Sequence, residues 1–204
     1  MHPEILNTRQ LELLPHLKAF NKSFYLVGGT AIALYLGHRR SIDFDLFSST
    51  PLVKHRIKKK LIKIPFQQIT IFEDVDQIHL IINDVKVTFF YYPYIVPHKE
   101  KTSENFSIPS LLSLAAMKAF ALGRRAKWKD YVDMYFILKY HFSIEEISLE
   151  SIKIFDNQFA EKLFRQQLAF HKDIDFSETV EFINNPVSES EIMEFLIEKA
   201  IKFI

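Results

Sequence analysis

Hydrophobic and polar residues repeat along this chain with two different periods, and the period changes near residue 105. Before that point, short apolar runs alternate with polar residues at every second position, as they do in half-buried strands. Beyond it, apolar residues recur every three or four positions, which is typical of helices that pack on a core. We therefore predict an α+β chain, with an α/β lobe over residues 1–105 and a helical lobe over residues 106–204.

The individual elements follow from the same periods and from residues that begin or end helices. The predicted strands cover residues 24–27, 41–46, 66–72, 77–82 and 85–92. In the first lobe, Gly37 is expected to end a short helix over residues 30–36, and Pro51 is expected to begin a second helix that buries Ile57, Leu61 and Ile64. In the second lobe, the predicted helices cover residues 110–122, 128–141, 144–155, 158–170 and 189–203.

Composition limits the chemistry that this chain can perform. It has 204 residues, 48% of them hydrophobic, which is enough for one core with a helical annex. It has no cysteine, so any metal must bind oxygen or imidazole, and thiol catalysis is excluded. No basic N-terminal segment precedes an apolar run, and the longest apolar stretch, residues 111–122, is too short to span a bilayer. We expect a cytoplasmic protein with no membrane partner.

The net charge of +1 hides an uneven distribution along the chain. From Ser143 onward there are six basic and thirteen acidic residues, so this part carries −7 and the part before it carries +8. An anionic partner is therefore expected to bind the first part.

Two aspartates, Asp43 and Asp45, lie in the strand predicted at residues 41–46. The two-residue period places both on one face, and Ile42 and the other apolar residues on the opposite face, until Phe47 interrupts the alternation. Aspartate is uncommon in strands because its short charged side chain favours turns. An exposed sheet edge is one explanation. The other is a site for Mg²⁺ or Mn²⁺, which prefer carboxylate oxygens and serve phosphoryl transfer.

The scarce glycines suggest what the metal would serve. Of four in the chain, Gly28 and Gly29 stand between the first strand and the following helix. A strand, a glycine turn and a helix N-terminus present backbone N–H groups that bind phosphate oxygens. Fourteen positions separate Gly29 from Asp43, enough for one helix and a return beside the turn.

The turn before the aspartate strand is basic, with His38, Arg39 and Arg40 in succession. A guanidinium there can hold a triphosphate oxygen, and Arg40 is the candidate. A solvated loop is the alternative for all three residues, and we favour it for His38.

These residues carry a family resemblance. Residues 27–34 (VGGTAIAL) and 37–46 (GHRRSIDFDL) resemble the first motif of the AbiEii/AbiGii-type nucleotidyltransferases of the polymerase-beta-like superfamily. Several of these are toxins of toxin–antitoxin or phage-defence pairs, and some transfer nucleotides to tRNA acceptor ends. The resemblance implies a polymerase-beta-like mixed sheet with flanking helices, and metal-dependent transfer of an NMP from an NTP to an acceptor hydroxyl.

The resemblance also implies partners and site residues. The expected partners are an NTP, tRNA and a cognate antitoxin, and Asp43 and Asp45 are expected to hold the metal. The residues expected to bind the nucleotide in this lobe are Gly28, Gly29, Thr30, Arg40 and Ser41.

Lys118 is the only charged residue of its predicted helix. Because a buried unpaired ammonium is costly, it must reach solvent, pair with a carboxylate or serve a ligand. Residues 123–135 (GRRAKWKDYVDMY) resemble later motifs of the same family. On that resemblance Lys118 contacts nucleotide phosphates, and Asp130 or Asp133 orders the site as the helical lobe completes the active-site cleft. Between the two we favour Asp130, for which a charge at the helix N-terminus is the structural alternative.

Two basic surfaces are candidates for RNA. The better one lies beside the expected site and comprises Arg124, Arg125, Lys127 and Trp128, whose ring can stack on a base. The lysine-rich helix after Pro51 is explained more simply as a solvated face.

One departure from the superfamily pattern keeps other functions open. Many superfamily members have a third carboxylate on a later strand, where this chain has Thr88. The general base is therefore unassigned. Nucleotidylation of a protein or a small molecule is one alternative function, and a catalytically degenerate, nucleotide-binding regulatory module is another.

Overall fold

The computed structural model describes residues 1–102, 106–122 and 124–202. Contacts between Cα atoms divide the chain into two units, the first comprising Met1–Gly37 and Ser41–Ser110, and the second His38–Arg40 and Leu111–Ile204. The first unit contains a mixed sheet with helices and the second is mainly helical, so the predicted α+β class is confirmed. Gly123, and the predicted helix end at Phe203, lie outside the described residues.

The first unit is built around a five-stranded sheet. Its elements are α1 (Thr8–Leu17), β1 (Tyr25–Val27), α2 (Gly28–Leu36), β2 (Asp43–Ser48), α3 (Lys54–Leu61), β3 (Gln68–Asp74), β4 (Gln77–Ile82), β5 (Val85–Tyr91), β6 (Glu100–Lys101) and β7 (Ser107–Ile108). The sheet order is β1-β2-β5-β4-β3, with β2 and β5 parallel and the other pairs antiparallel. A separate antiparallel ladder joins β6 to β7.

The alternation of side chains places a continuous apolar core on one face of this sheet. Phe44 of β2 and Val87 and Phe89 of β5 are fully buried. The ring of Phe89 packs on Phe20 and Phe24, with ring centroids 4.8 and 5.1 Å away. The helix α1, which periodicity did not predict, begins with a capping box between Asn7 and Gln10.

The predicted start of the basic helix is wrong by three residues. The basic helix α3 begins at Lys54 and not at Pro51, and Val53 stands at its N-cap. Ile57, Leu61 and Ile64 are nevertheless buried, as predicted, although Ile64 lies beyond the helix end.

The structure corrects two further predictions, one for the burial of Ile42 and one for the helix over residues 158–170. Ile42 precedes β2 and is 56% exposed, so it does not share the buried face. The helix predicted over residues 158–170 is shorter, because a 3-10 helix, Asp156–Gln158, comes first.

The second unit contains five α-helices in its described part: α4 (Leu111–Leu122), α5 (Trp128–Tyr140), α6 (Ile144–Phe155), α7 (Glu161–Ala169) and α8 (Glu189–Ile201). Helix α4 packs on α6 through the stacked rings of Phe120 and Phe155, whose centroids lie 3.9 Å apart. Within the described ranges, no helix is both long enough and apolar enough to cross a membrane.

Candidate functional site

The two aspartates of β2 lie on the face of the strand opposite the core. Phe44 and Leu46 are buried, and Asp43 and Asp45 are half-buried on the other face, as the two-residue period predicts. The alternation does not stop at Phe47, because the next residue is again buried. Phe47 instead adds an aromatic ring to the aspartate face.

The glycine turn lies directly against one of these carboxylates. Gly28 adopts a φ of 74°, in the left-handed region that favours glycine. A Cβ atom at this position would lie 2.2 Å from Oδ2 of Asp45. Val27, the residue before Gly28, pairs with Asp45 across the antiparallel ladder of β1 and β2. Any side chain at position 28 would therefore displace the Asp45 carboxylate.

Helix α2 is tied to the start of β2 by hydroxyl groups. The Thr30 hydroxyl bonds to the Ser41 hydroxyl at 2.8 Å and also to the Asp43 carbonyl oxygen. The Gln10 amide donates to the Ser41 carbonyl at 2.8 Å. The side chains of Thr30 and Ser41 thus fix the aspartate strand beside the helix. The first amides of α2 have no intrahelical acceptor, and the N-cap residue, Val27, makes no side-chain capping bond.

The donor chemistry of this face suits a hard divalent cation. Mg²⁺ is commonly held by one or two carboxylates, keeps several waters and takes its remaining oxygens from substrate phosphates. Asp43 and Asp45 supply two carboxylates from one strand face. Across the part of the chain that the structure describes, no cluster of three or more His, Asp or Glu side chains could hold a metal ion. The pair therefore fits an ion shared with a phosphate-bearing substrate.

The residue next to Asp45 across the sheet is Thr88, the position that lacks a carboxylate. The parallel ladder of β2 and β5 pairs Asp45 with Thr88. The antiparallel ladder of β5 and β4 then pairs Thr88 with His79. Sequence reasoning missed His79, because only the pairing of strands reveals its proximity to Thr88.

In the second unit, the predicted residues Lys118 and Asp130 meet in a buried ion-pair network centred on Asp133. The Lys118 ammonium lies 2.7 Å from Asp130 and 2.9 Å from Asp133. The Arg39 guanidinium donates to both oxygens of Asp133, at 2.8 and 3.0 Å. Of these four side chains, none is more than 5% exposed. Lys118 therefore has the carboxylate partners that one of the alternatives required.

Burial and charge act against each other in this network. Burial alone would raise the pKa of Asp133, but Arg39 and Lys118 lower that pKa well below its usual value. Burial alone would lower the pKa of Lys118, but Asp130 and Asp133 raise it. Asp133 and Lys118 are therefore both charged at neutral pH.

The expectation that His38 lies in a solvated loop is wrong. Its side chain is 2% exposed, and its Nε2 atom lies 2.8 Å from Asp133. Burial lowers the pKa of His38 more than the nearby Asp133 carboxylate raises it, so the imidazole is neutral. Nδ1 is buried and has no hydrogen-bond partner among the described residues. Nε2 therefore carries the proton and donates it to Asp133.

An acidic segment between α7 and α8, residues 171–183, contacts four basic residues of the second unit: Arg39, Arg40, Lys127 and Lys129. We call it the acidic strap. Its backbone forms isolated bridges from Asp175 to Lys127 and from Phe182 to Arg39. Within it, Glu178 pairs with both Lys127 and Lys129.

The strap also pairs with Arg40, the predicted phosphate ligand. Glu181 lies 2.7 Å from the Arg40 guanidinium, and the Arg40 amide donates to the Glu181 carbonyl oxygen.

The ion pairs of the strap also lower the pKa of its Glu178 side chain. The hydrogen bond from Lys127 is the main cause and lowers that pKa to about 2. Periodicity could not predict the strap, because it has no regular secondary structure.

Each of the four residues predicted to contact RNA already packs on or pairs with another side chain of the second unit. Trp128 is only 6% exposed and packs on Phe176, so its ring is not placed to stack on a base. The Arg124 guanidinium lies 3.6 Å from the ring centroid of Phe120, and Arg125 donates to Asp130. Lys127 is held by Glu178.

Removing the charge of Asp133 should destabilise the protein strongly. In Asp133→Asn, Arg39 and Lys118 would lose a buried counter-charge, and we expect the free energy of unfolding to fall by about 3–5 kcal/mol. Urea denaturation at pH 7 measures this loss. Glu181→Gln, which breaks the exposed pair with Arg40, is the matched control and should cost far less. Equal small losses in the two variants would show that the network does not stabilise the fold.

Comparison with known proteins gives the family. The sequence profile described as "Nucleotidyl transferase AbiEii toxin, Type IV TA system" matches residues 12–200. An uncharacterized protein of Aquifex aeolicus is 31% identical over 122 residues, which are 58% of this chain and 59% of that protein. The matched region thus spans less than two thirds of the relative's length.

Solved structures show the same fold. MenT4, a nucleotidyltransferase toxin of Mycobacterium tuberculosis, superposes with a TM-score of 0.65 at 14% identity, covering 94% of this chain and 80% of MenT4. JHP933 of Helicobacter pylori gives a TM-score of 0.54 at 15% identity, covering 96% and 91%. The predicted nucleotidyltransferase fold is confirmed. Because the family profile extends over nearly the whole chain, the protein belongs to the AbiEii family of nucleotidyltransferase toxins of type IV toxin–antitoxin systems.

Proposed function

We propose that this protein transfers an NMP from an NTP to an acceptor hydroxyl, that the acceptor is the 3′ end of tRNA, and that a cognate antitoxin restrains it. The observation that supports this most directly is the contact between the Gly28 backbone and the Asp45 carboxylate. It joins a phosphate-binding turn to a pair of metal-binding carboxylates. Nucleotidyl transfer needs both, because negative charge develops on the phosphoryl oxygens and on the leaving pyrophosphate.

In this proposal, each side chain of the first unit has a role that its contacts allow. The backbone N–H groups of Gly28, Gly29 and Thr30 bind phosphate oxygens at the N-terminus of α2. The Thr30 and Ser41 hydroxyls, which already bond to each other, hold β2 in place rather than contact the nucleotide. Asp43 and Asp45 would hold Mg²⁺ or Mn²⁺. When bound, that ion would neutralise phosphate charge and orient the reacting oxygens.

The contributions of the second unit remain predictions. Lys118 and Asp130 are the residues that the family resemblance implies, and they form a buried pair with each other. We propose that this pair fixes α4 on α5 and that Lys118 reaches phosphate only by exchanging a carboxylate partner. Arg40 is likewise proposed to exchange Glu181 for a triphosphate oxygen.

Labelled nucleotide provides the test of transfer. Incubation with each α-labelled NTP, Mg²⁺ and total tRNA should label RNA of tRNA length, and Asp45→Asn should lower the rate by at least about 100-fold, because transition-state charge is no longer stabilised. Asp76→Asn, at an exposed loop aspartate, is the matched control and should label as wild type does.

Other outcomes of this experiment select the alternatives. Label on polypeptide or on a small molecule would assign a different acceptor. Nucleotide binding without turnover would indicate a degenerate regulatory module. Equal labelling by Asp45→Asn and wild type would show that the metal assignment is wrong.

The acidic strap gives a prediction for RNA affinity. Because Glu178 neutralises Lys127 and Lys129, Glu178→Gln should make both lysines available to phosphates. We expect tighter tRNA binding by fluorescence anisotropy, and a slope of log K against log salt steeper by roughly one to two units. Glu194→Gln, an exposed acid on α8, makes the same change in net charge and should have a much smaller effect. If both variants bind tRNA alike, the strap does not compete with RNA.

A further inference from the structure

A row of three side chains crosses the sheet from the proposed metal site. Asp45 of β2 pairs with Thr88 of β5, and Thr88 pairs with His79 of β4. Residues in register on neighbouring strands point to the same face, and the strands are spaced by about 4.8 Å. The Thr88 side chain therefore stands between the Asp45 carboxylate and the His79 imidazole.

The hydrogen bonds of His79 determine which ring nitrogen can take a proton. Nε2 lies 2.8 Å from the Gln77 amide oxygen, which can only accept, so Nε2 carries the hydrogen. Nδ1 is then the unprotonated nitrogen, and it lies 3.4 Å from the Thr88 hydroxyl. An imidazole oriented by a third group, with its basic nitrogen facing a hydroxyl, is the arrangement of a general base.

The surroundings of His79 keep it neutral. Partial burial is the main cause that lowers its pKa below the ordinary 6.5, and the positive charge of Lys86 adds to the effect. On the side of β3, the residue paired with His79 is Phe72, whose ring packs edge-on at 5.7 Å, and Asp74 pairs with Gln77. On the other side stand Thr88 and then Asp45. A neutral imidazole at pH 7 is able to accept a proton.

We propose that His79 accepts, through the Thr88 hydroxyl, the proton of the acceptor hydroxyl that attacks the NTP. This inference rests on the proposed function and assigns its missing base. The acceptor O–H bond breaks, and its oxygen bonds to the α-phosphorus, while the bond from that phosphorus to the bridging oxygen breaks and pyrophosphate leaves with the electron pair. The acceptor proton passes to Oγ1 of Thr88, whose own proton passes to Nδ1 of His79. The imidazolium then returns its proton to water.

Because His79 acts through Thr88, the test needs a readout that a purely structural role would not change. The pH dependence of kcat for NMP transfer provides it. In wild type, kcat should fall as the pH drops through the pKa of His79, because the protonated imidazole cannot accept. His79→Ala should be slower by about 100-fold at pH 7.5 and should lose this acid limb. The control His141→Ala, at an exposed histidine that follows α5, should match wild type.

Rescue through Thr88 separates proton transfer from damage to the fold. Thr88→Val should slow transfer as much as His79→Ala does, and the double variant should be no slower than either, because both changes break one relay. Thr88→Asp in the His79→Ala background supplies a carboxylate as proton acceptor. It should recover at least tenfold of the lost rate and move the acid limb toward the carboxyl pKa of about 4. Circular dichroism and urea denaturation confirm that each variant is folded.

The outcomes distinguish this inference from the function on which it rests. If wild type transfers no label to any acceptor while it remains folded, the proposed function fails and the role of His79 fails with it. If wild type is active and Asp45→Asn is not, but His79→Ala keeps the wild-type rate and acid limb, only the role of His79 is overturned. A folded Thr88→Asp/His79→Ala variant that recovers no activity would also contradict the relay.

Discussion

The close approach of the Gly28 backbone to the Asp45 carboxylate is the constraint on which the first unit depends. It requires a residue without a Cβ atom directly after β1, where α2 begins, because a Cβ would lie 2.2 Å from the carboxylate oxygen. It also requires that β2 and α2 keep one position relative to each other. The hydrogen bonds from the Thr30 hydroxyl to Ser41 and Asp43 hold them there. With those satisfied, the N-terminus of α2, where we propose that phosphate binds, lies beside the two carboxylates of β2. Thr88 and His79 then extend the same face across the sheet.

The second unit depends on a different constraint, because it buries several charged side chains together. Two cations, Arg39 and Lys118, share Asp133, and Lys118 also meets Asp130. Such a network is stable only when every member has a partner. Arg39 is fully buried and lies in the segment that joins α2 to β2. The three residues His38–Arg40 group with the second unit, although the chain on both sides belongs to the first. Of these three residues, Arg40 has the most exposed side chain.

Local pattern was enough to predict what depends on local spacing. The two-residue period identified β2 and the shared face of Asp43 and Asp45, and the scarce glycines identified the turn at Gly28 and the left-handed end of α2 at Gly37. Long-range pairing was not accessible in this way. Arg39 and Asp133 are 94 positions apart, so the burial of Arg39 and His38 could not be inferred from a basic tripeptide. The strap was equally hidden, because its contacts with Lys127 and Arg40 come from a segment without periodicity. The packing of Phe176 on the Trp128 ring was equally inaccessible, because the two residues are distant in the sequence.

We propose that the aspartate face of β2 and the glycine turn of α2 form one metal–nucleotide site. Anomalous diffraction from crystals grown with Mn²⁺ and a non-hydrolysable NTP analogue measures this directly. We expect an anomalous peak from Mn²⁺ at the carboxylates of Asp43 and Asp45, with nucleotide phosphates against the amides of Gly28 and Gly29. An ion and phosphates bound elsewhere, with neither in contact with Asp43, Asp45, Gly28 or Gly29, would contradict it.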